Sequence, residues 1–156
     1  MIRRRTAIAA ALLLGIAGGI AAGAVLAFGG DSTREPTKAE YLAQVSAICE
    51  TYGKRLDLIP PPSDPASPGA VFESISDALP ILKEQAARVR VLDTPRALRS
   101  RLARFFDLTD RSILALERAQ REAGKRELFP MVQAISAFEQ VRDQAKRAAH
   151  TIGFDC

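Results

Sequence analysis

Histidine and cysteine are scarce in this chain of 156 residues, which has one histidine and two cysteines. A serine or cysteine nucleophile usually needs a histidine base, and a zinc site needs several histidine or cysteine ligands. The single His150 and two cysteines cannot build either site. The Glu-x-x-His motif of di-iron bundles and the Cys-x-x-Cys-His motif of haem attachment are also absent from the sequence. We therefore expect a protein that is not an enzyme and that needs no metal or other cofactor.

Acidic side chains are absent from the first 30 positions, where three of the 22 basic residues lie as Arg3, Arg4 and Arg5. Residues 7–28 follow them as an apolar segment, because none of these 22 side chains is charged or polar. Basic residues before an apolar segment hold that end in the cytoplasm. The sequence therefore predicts a cytoplasmic N-terminus, with the rest of the chain outside a bacterial-type cytoplasm.

The length of the apolar segment bears on whether it is kept or removed. A spanning helix needs roughly 20 apolar residues, whereas the core of a cleaved signal peptide has about 7–15. Residues 1–30 are therefore predicted to be a single-pass anchor in the cell membrane, with cleavage near Ala27 and secretion as the alternative. Gly15, Gly19 and Gly23 recur every four residues, and this spacing predicts a weak homodimer through the anchor.

Beyond residue 30 the charges nearly cancel, with 19 basic and 18 acidic side chains. A nucleic-acid-binding domain would show a basic face without matching acids, so nucleic acid is not an expected partner. Arg104, Arg111 and Arg118 recur every seven residues. This stripe would suit anionic headgroups or an acidic envelope protein, but the near-neutral total favours an ordinary solvated surface.

The two cysteines, Cys49 and the last residue Cys156, both follow the apolar segment. Outside the cytoplasm, two cysteines in a small domain usually pair. A loop of about 100 residues would be closed, which stabilises the fold by ~4.7 kcal/mol in the chain-entropy model. A disulfide between them is therefore predicted, with free thiols or an intermolecular bond as the alternatives.

Four amphipathic segments follow a polar linker at residues 31–36. Capping residues and prolines predict helices that begin at Thr37, Ser67, Thr94 and Arg126 or Glu127. Prolines and glycines predict ends near Ile59, Gly124 and Gly153. No segment has the spacing of a strand. Residues 37–156 are therefore predicted to form an all-α domain, an antiparallel four-helix bundle preceded by the N-terminal transmembrane or signal helix.

Pro80 falls inside the second predicted helix, where it removes a backbone hydrogen bond and predicts a kink. The apolar stripes of the last three helices contain Phe72, Phe105 and Phe138, with Phe106 beside them. If the kink opens the interior, these phenylalanines would line an apolar pocket. Phenylalanines at such positions more often simply pack in the hydrophobic core. A small-molecule-binding bundle with a pocket near Pro80 is therefore one hypothesis for the function.

A resemblance to small exported or membrane-anchored helical-bundle proteins of actinobacteria and their relatives covers roughly residues 37–156. It rests on a proline-rich break and on three short segments, KAEYLAQVSAIC at 38–49, LDTP at 92–95 and GFDC at 153–156. The resemblance implies export, a helical bundle and a Cys49–Cys156 disulfide, and it implies no established activity.

The predicted anchor, the small bridged domain and the missing catalytic residues favour a non-enzymatic role. The function expected first is a membrane-tethered, extracytoplasmic interaction or structural module of the bacterial cell envelope. Its expected partners are the membrane, through the N-terminal helix, and an envelope protein.

Overall fold

The computed structural model describes residues 34–154 of the chain. Within them the structure is helical and contains no strand, so the prediction of an all-α fold is confirmed. None of these helices is long and apolar enough to cross a lipid bilayer. The described residues contain four α-helices and one 3-10 turn at Arg96–Leu98. The helices are α1 at Lys38–Asp57, α2 at Pro68–Arg90, α3 at Arg99–Gly124 and α4 at Leu128–Ile152.

The predicted anchor and one of the two cysteines lie outside the described residues. The expectations attached to them therefore stay predictions. The positions concerned are Arg3, Arg4, Arg5, Gly15, Gly19, Gly23, Ala27 and Cys156.

The predicted cap of α1 is confirmed. The Thr37 hydroxyl accepts a hydrogen bond from the Glu40 backbone N–H at 3.2 Å, and the Glu40 carboxylate accepts one from the Thr37 N–H at 2.7 Å. This reciprocal pair satisfies two backbone donors that the first turn would otherwise leave open. The hydrogen bonds from Thr37 hold the pKa of the Glu40 carboxyl below its usual value.

The predicted start of α3 at Thr94 is wrong. The Thr94 hydroxyl donates back to the Leu92 carbonyl at 3.4 Å and caps nothing ahead of it. Pro95 has extended backbone angles and opens the short 3-10 turn, whose Leu98 N–H donates to the Pro95 carbonyl at 2.9 Å. The regular helix therefore begins only at Arg99.

Two helices end in the same hydrogen-bonded motif. After α4, Gly153 has φ 101°, and the Phe154 N–H donates to the Ala149 carbonyl at 3.0 Å, which confirms the predicted Schellman arrangement. α3 ends at Gly124 as predicted, but the left-handed residue there is Arg126, with φ 61°. Gly124 has a different role, because a Cβ atom at this position would lie 3.2 Å from the Phe72 ring.

The buried side chains form two core clusters. The first, which we call the α2–α4 core, joins the last three helices through Val71, Ile75, Leu79, Leu116, Ala119, Ala123, Met131, Ala134 and Phe138. Its three alanines permit the close approach of α3 and α4, which share the most extensive helix interface. The second, which we call the terminal core, contains Tyr41, Val45, Val89, Leu98, Leu102, Ile152 and Phe154.

The inward face of α2 differs by one residue from the predicted stripe. Phe72 was expected to be buried and is 38% exposed, whereas the adjacent Val71 is 2% exposed. The Phe72 ring lies over Gly124 at the edge of the α2–α3 contact. α2 continues through Pro80, which lies on its exposed side.

A candidate apolar binding pocket

A pocket of about 210 Å³ lies between the two core clusters and takes side chains from all four helices. We call it the central pocket. α1 contributes Val45 and Cys49, and α2 contributes Leu82, Gln85, Ala86 and Val89. The remaining lining comes from α3, from α4 and from the second residue after α4, namely Phe105, Phe106, Thr109, Ser112, Ile113, Leu116, Phe138, Arg142, Ala145 and Phe154.

Small side chains at inward positions leave this space unfilled. Ala86, Ser112 and Ala145 lie on three different helices and all face the pocket. Protein cores are normally close-packed, and an unfilled volume lowers stability in proportion to its size. Leucines at these positions would fill the space, so the residues present favour a cavity over maximal stability.

Aromatic rings close the pocket at the end formed by the terminal core. The Phe154 ring packs edge-on against Phe105, with centroids 5.1 Å apart, and Phe105 in turn lies 5.5 Å from Phe106. On its other side Phe154 packs against Tyr41 at 6.1 Å. The Tyr41 hydroxyl is buried without a hydrogen bond in the described part of the chain, and burial raises the pKa of this phenol.

Few polar groups face the central pocket. The Thr109 hydroxyl donates to the Phe105 carbonyl at 2.9 Å and is therefore engaged by its own helix. Ser112 is only 9% exposed, and neither its hydroxyl nor the Gln85 amide hydrogen-bonds to another residue between 34 and 154. A buried polar group gains free energy when it finds a partner. The pocket therefore offers largely apolar walls, and Ser112 and Gln85 are polar groups that a ligand can engage, beside the Arg142 side chain.

Two arginines cover phenylalanine rings of the pocket. The guanidinium of Arg90 lies 5.0 Å from the Phe106 centroid and pairs with Asp110 at 2.8 Å. The guanidinium of Arg142 lies 5.6 Å from the Phe138 centroid. Such cation–π contacts hold a ring in one orientation. Arg90 thus holds its ring from outside the pocket, whereas Arg142 holds its ring as one of the lining residues.

Three of the five residues expected from the sequence lie together in this pocket. Phe105, Phe106 and Phe138 line it, whereas Phe72 and Pro80 do not. The pocket therefore lies toward the C-terminal half of α2, where Leu82, Gln85, Ala86 and Val89 face it, and not at the proline itself.

One predicted disulfide cysteine also lines the pocket. Cys49 is half-buried on α1 and is not a free cysteine. Its predicted partner, Cys156, lies outside the described residues, so the pairing stays a prediction.

Sequence reasoning missed Ser112 and Gln85 as pocket residues. Ser112 lies seven residues after Phe105 and four before Leu116, which is the spacing of the inward face of α3. The indication available in the sequence was that Ser112, a polar residue, occupies a position of the apolar stripe of α3.

Comparison with known proteins supplies no relative. No family model matches the chain, and no match was found among the curated proteins or the solved structures. Within residues 34–154, no group of three or more histidine, cysteine, aspartate or glutamate side chains could hold a metal ion.

Proposed function

We propose that this protein is a membrane-tethered, extracytoplasmic helical bundle that binds a small apolar molecule in the central pocket without catalysing a reaction. The observation that carries the proposal is the apolar space of about 210 Å³ between two separate cores. Ligand sites typically combine apolar walls with a few polar groups that orient the ligand. Ser112 and Gln85 supply such groups here.

The volume limits the ligand. An apolar cavity of about 150 Å³ binds benzene, so the central pocket suits a somewhat larger molecule, such as a fused bicyclic ring or a short acyl chain. One hydroxyl, carbonyl or amine on the ligand would engage Ser112 and Gln85. A positively charged ligand is disfavoured, because the walls are apolar apart from a few polar groups and the Arg142 guanidinium.

The same proposal includes the N-terminal membrane tether and the order in which the four helices pack. The apolar segment at 7–28 is long enough to cross a bilayer, and the arginines before it favour a cytoplasmic N-terminus. A Cβ at Gly153 would lie 3.4 Å from the Leu42 side chain, so the end of α4 meets the start of α1. This neighbourhood supports an antiparallel up-down-up-down bundle. A Cys49–Cys156 disulfide would then fasten the tail beside the pocket.

Thermal unfolding of the full-length chain in a neutral detergent tests the pocket. 1-Naphthol is expected to raise the midpoint of unfolding, because a ligand that binds only the folded state stabilises it. Ala86→Leu fills the pocket and should abolish this rise. The matched control is Ala87→Leu, which adds the same side chain on the exposed face of α2 and should leave the rise intact. Equal responses in the two variants would contradict the proposal.

The polar groups are tested with a pair of probes. Ser112→Ala should weaken binding of 1-naphthol by about three- to tenfold, the value of one hydrogen bond. Binding of 1-methylnaphthalene, which has no hydroxyl, should be unchanged in the same variant. A parallel loss for both probes would show that Ser112 acts through packing alone.

Contact with an envelope protein is a second candidate function. Leu128 and Phe129 are 49% and 71% exposed in the first turn of α4. α4 has 25 residues, so at ~1.5 Å per residue this turn lies far from the end that meets α1. A photo-crosslinker at Phe129 in intact membranes should capture one defined protein, and a crosslinker at the exposed Leu114 should not. Identical products from both positions would contradict this role.

A weak homodimer through the anchor is a separate proposal. Gly15, Gly19 and Gly23 would place a smooth strip on one side of the helix. Chemical crosslinking of the protein in membranes should yield a dimer that Gly19→Leu removes. Detection of the monomer alone in both the wild type and Gly19→Leu would contradict this proposal.

A further inference from the structure

A second cavity, of about 300 Å³, opens on the surface between the first turns of α3 and the last turns of α4. We call it the arginine groove. It is lined by Arg101, Arg104, Gln144, Arg147, Ala148 and Thr151. Three guanidinium groups from two helices therefore face one concave surface.

Within residues 34–154, Arg101, Arg104 and Arg147 form no ion pair. Other arginines of the same helices do, since Arg111 lies 4.0 Å from Asp107. A cluster of like charges that nothing pairs raises the local positive potential and attracts an anion.

The groove lies at the end of the helices where the chain enters from the N-terminal segment. Thr151 of the groove is two residues from Gly153, whose Cβ position is 3.8 Å from the Lys38 ammonium in the first turn of α1. On the α3 side, Arg96 pairs with Glu35 of the linker at 3.2 Å. The eight residues 29–36, which connect the apolar segment at 7–28 to Thr37, reach at most ~29 Å when extended. A bilayer that holds the apolar segment would therefore lie close to the groove.

We propose that the arginine groove binds the phosphate of an anionic phospholipid headgroup in the membrane that the N-terminal segment enters. This inference rests on the tether of the proposed function. The planar guanidinium matches phosphate oxygens in a bidentate way and stays charged at every physiological pH. Attraction to anionic lipid falls off within a Debye length of the surface, so only basic groups held near the bilayer contribute.

Calorimetric titration of the full-length chain in a neutral detergent tests the groove. The probes are dihexanoyl-phosphatidylglycerol, dihexanoyl-phosphatidylcholine and inorganic phosphate. The phosphatidylglycerol lipid should bind at least about tenfold more tightly than the zwitterionic lipid, and more weakly as salt rises. The double variant Arg104→Gln/Arg147→Gln should lose this preference.

A matched double variant controls for charge. Arg118→Gln/Arg121→Gln removes the same charge from exposed residues near the other end of α3 and should keep the preference. Equal losses in both double variants, or no loss in the groove variant, would overturn the proposal. Inorganic phosphate that binds as tightly as phosphatidylglycerol would also overturn it, because the site would then take free phosphate.

A separate experiment tests whether the N-terminal segment anchors the protein in the membrane. Alkaline carbonate extraction of membranes should leave the wild-type chain in the pellet. A chain that is released, yet still prefers phosphatidylglycerol in a manner that needs Arg104 and Arg147, would contradict the tether and support the groove. A retained chain without the preference would contradict the groove alone.

Discussion

The ring of Phe154 meets the ring of Phe105 edge-on, with centroids 5.1 Å apart and planes at 87°. Phe154 is the residue just beyond the left-handed Gly153, and its N–H donates to the Ala149 carbonyl at 3.0 Å. The motif that ends α4 thus turns one ring into the interior. That ring closes one end of the central pocket.

Removal of this ring should destabilise the protein strongly. Phe154 is 7% exposed, and truncation of a buried phenylalanine costs about 3–5 kcal/mol. Urea unfolding of Phe154→Ala, followed by circular dichroism, should show a loss in this range. Phe129→Ala is the control, because that side chain is 71% exposed. Comparable losses in the two variants would contradict the assigned role of Phe154.

Alanine substitutions at two helical glycines should differ in effect. A Cβ at Gly53 would meet no atom within 4 Å, whereas a Cβ at Gly124 would lie 3.2 Å from the Phe72 ring. Gly53→Ala should therefore raise the free energy of unfolding by about 0.5–1 kcal/mol, the usual helix-interior difference. Gly124→Ala should give no gain, because Phe72 must shift. Equal gains in urea unfolding would show that the Phe72 contact imposes no constraint.

The turn after α3 carries avoidable strain. Arg126 has φ 61°, a left-handed conformation that costs a non-glycine residue about 1–2 kcal/mol. Arg126→Gly should relieve this cost and raise the unfolding free energy by about 1 kcal/mol. Arg126→Ala removes the same charge but keeps a Cβ, so it should bring no comparable gain. If both variants are equally stabilised, the side chain and not the backbone conformation is responsible.

Tyr41→Phe should stabilise the fold at neutral pH. The Tyr41 hydroxyl is buried and has no hydrogen bond in the described part of the chain, and an unsatisfied buried hydroxyl costs about 1–3 kcal/mol. Tyr52→Phe is the control, because the Tyr52 hydroxyl is not among the buried atoms left without a partner. It lies beside the Arg55–Glu84 ion pair, and after Arg55 it contributes to lowering the pKa of the Glu84 carboxyl. A gain in urea unfolding for Tyr52→Phe as large as that for Tyr41→Phe would contradict the argument.

The same tyrosine should make stability fall at alkaline pH. Burial raises the pKa of Tyr41 in the folded state, so the unfolded phenol ionises first, near its ordinary value of about 10. Below that pH the phenol is neutral in both states and ionisation has no effect on stability. As pH rises toward the folded-state pKa, ionisation of the unfolded phenol lowers the unfolding free energy of the wild type. The advantage of Tyr41→Phe over wild type in urea unfolding should therefore widen from pH 9 to pH 11. A constant advantage would contradict the assignment.

Helix limits were predictable wherever a side chain satisfies the backbone locally. The Thr37 and Glu40 pair fixes the start of α1, and Gly153 fixes the end of α4, because each motif needs only neighbouring residues. Thr94 has the same residue type as Thr37 but bonds backward to Leu92. The sequence pattern does not rank these two local choices, so the start of α3 was misplaced.

Helix rotation and the pocket depend on contacts between helices and were predictable only in part. Val71 and Phe72 are adjacent apolar residues, and packing across the α2–α3 contact decides which one turns inward. The positions of Phe105 and Phe138 in the pocket followed from helical spacing. Ser112 did not, because its polar side chain is typical of an exposed face.

The division of the interior into two cores has a consequence for the order of folding. The α2–α4 core joins helices that follow one another along the chain, so its contacts close short loops. The terminal core joins Tyr41 to Phe154, and closing that long loop costs more chain entropy. Contacts between distant residues form more slowly. During synthesis, α2, α3 and α4 would pack together before the terminal core forms, and the central pocket would take shape only once Phe154 had left the ribosome.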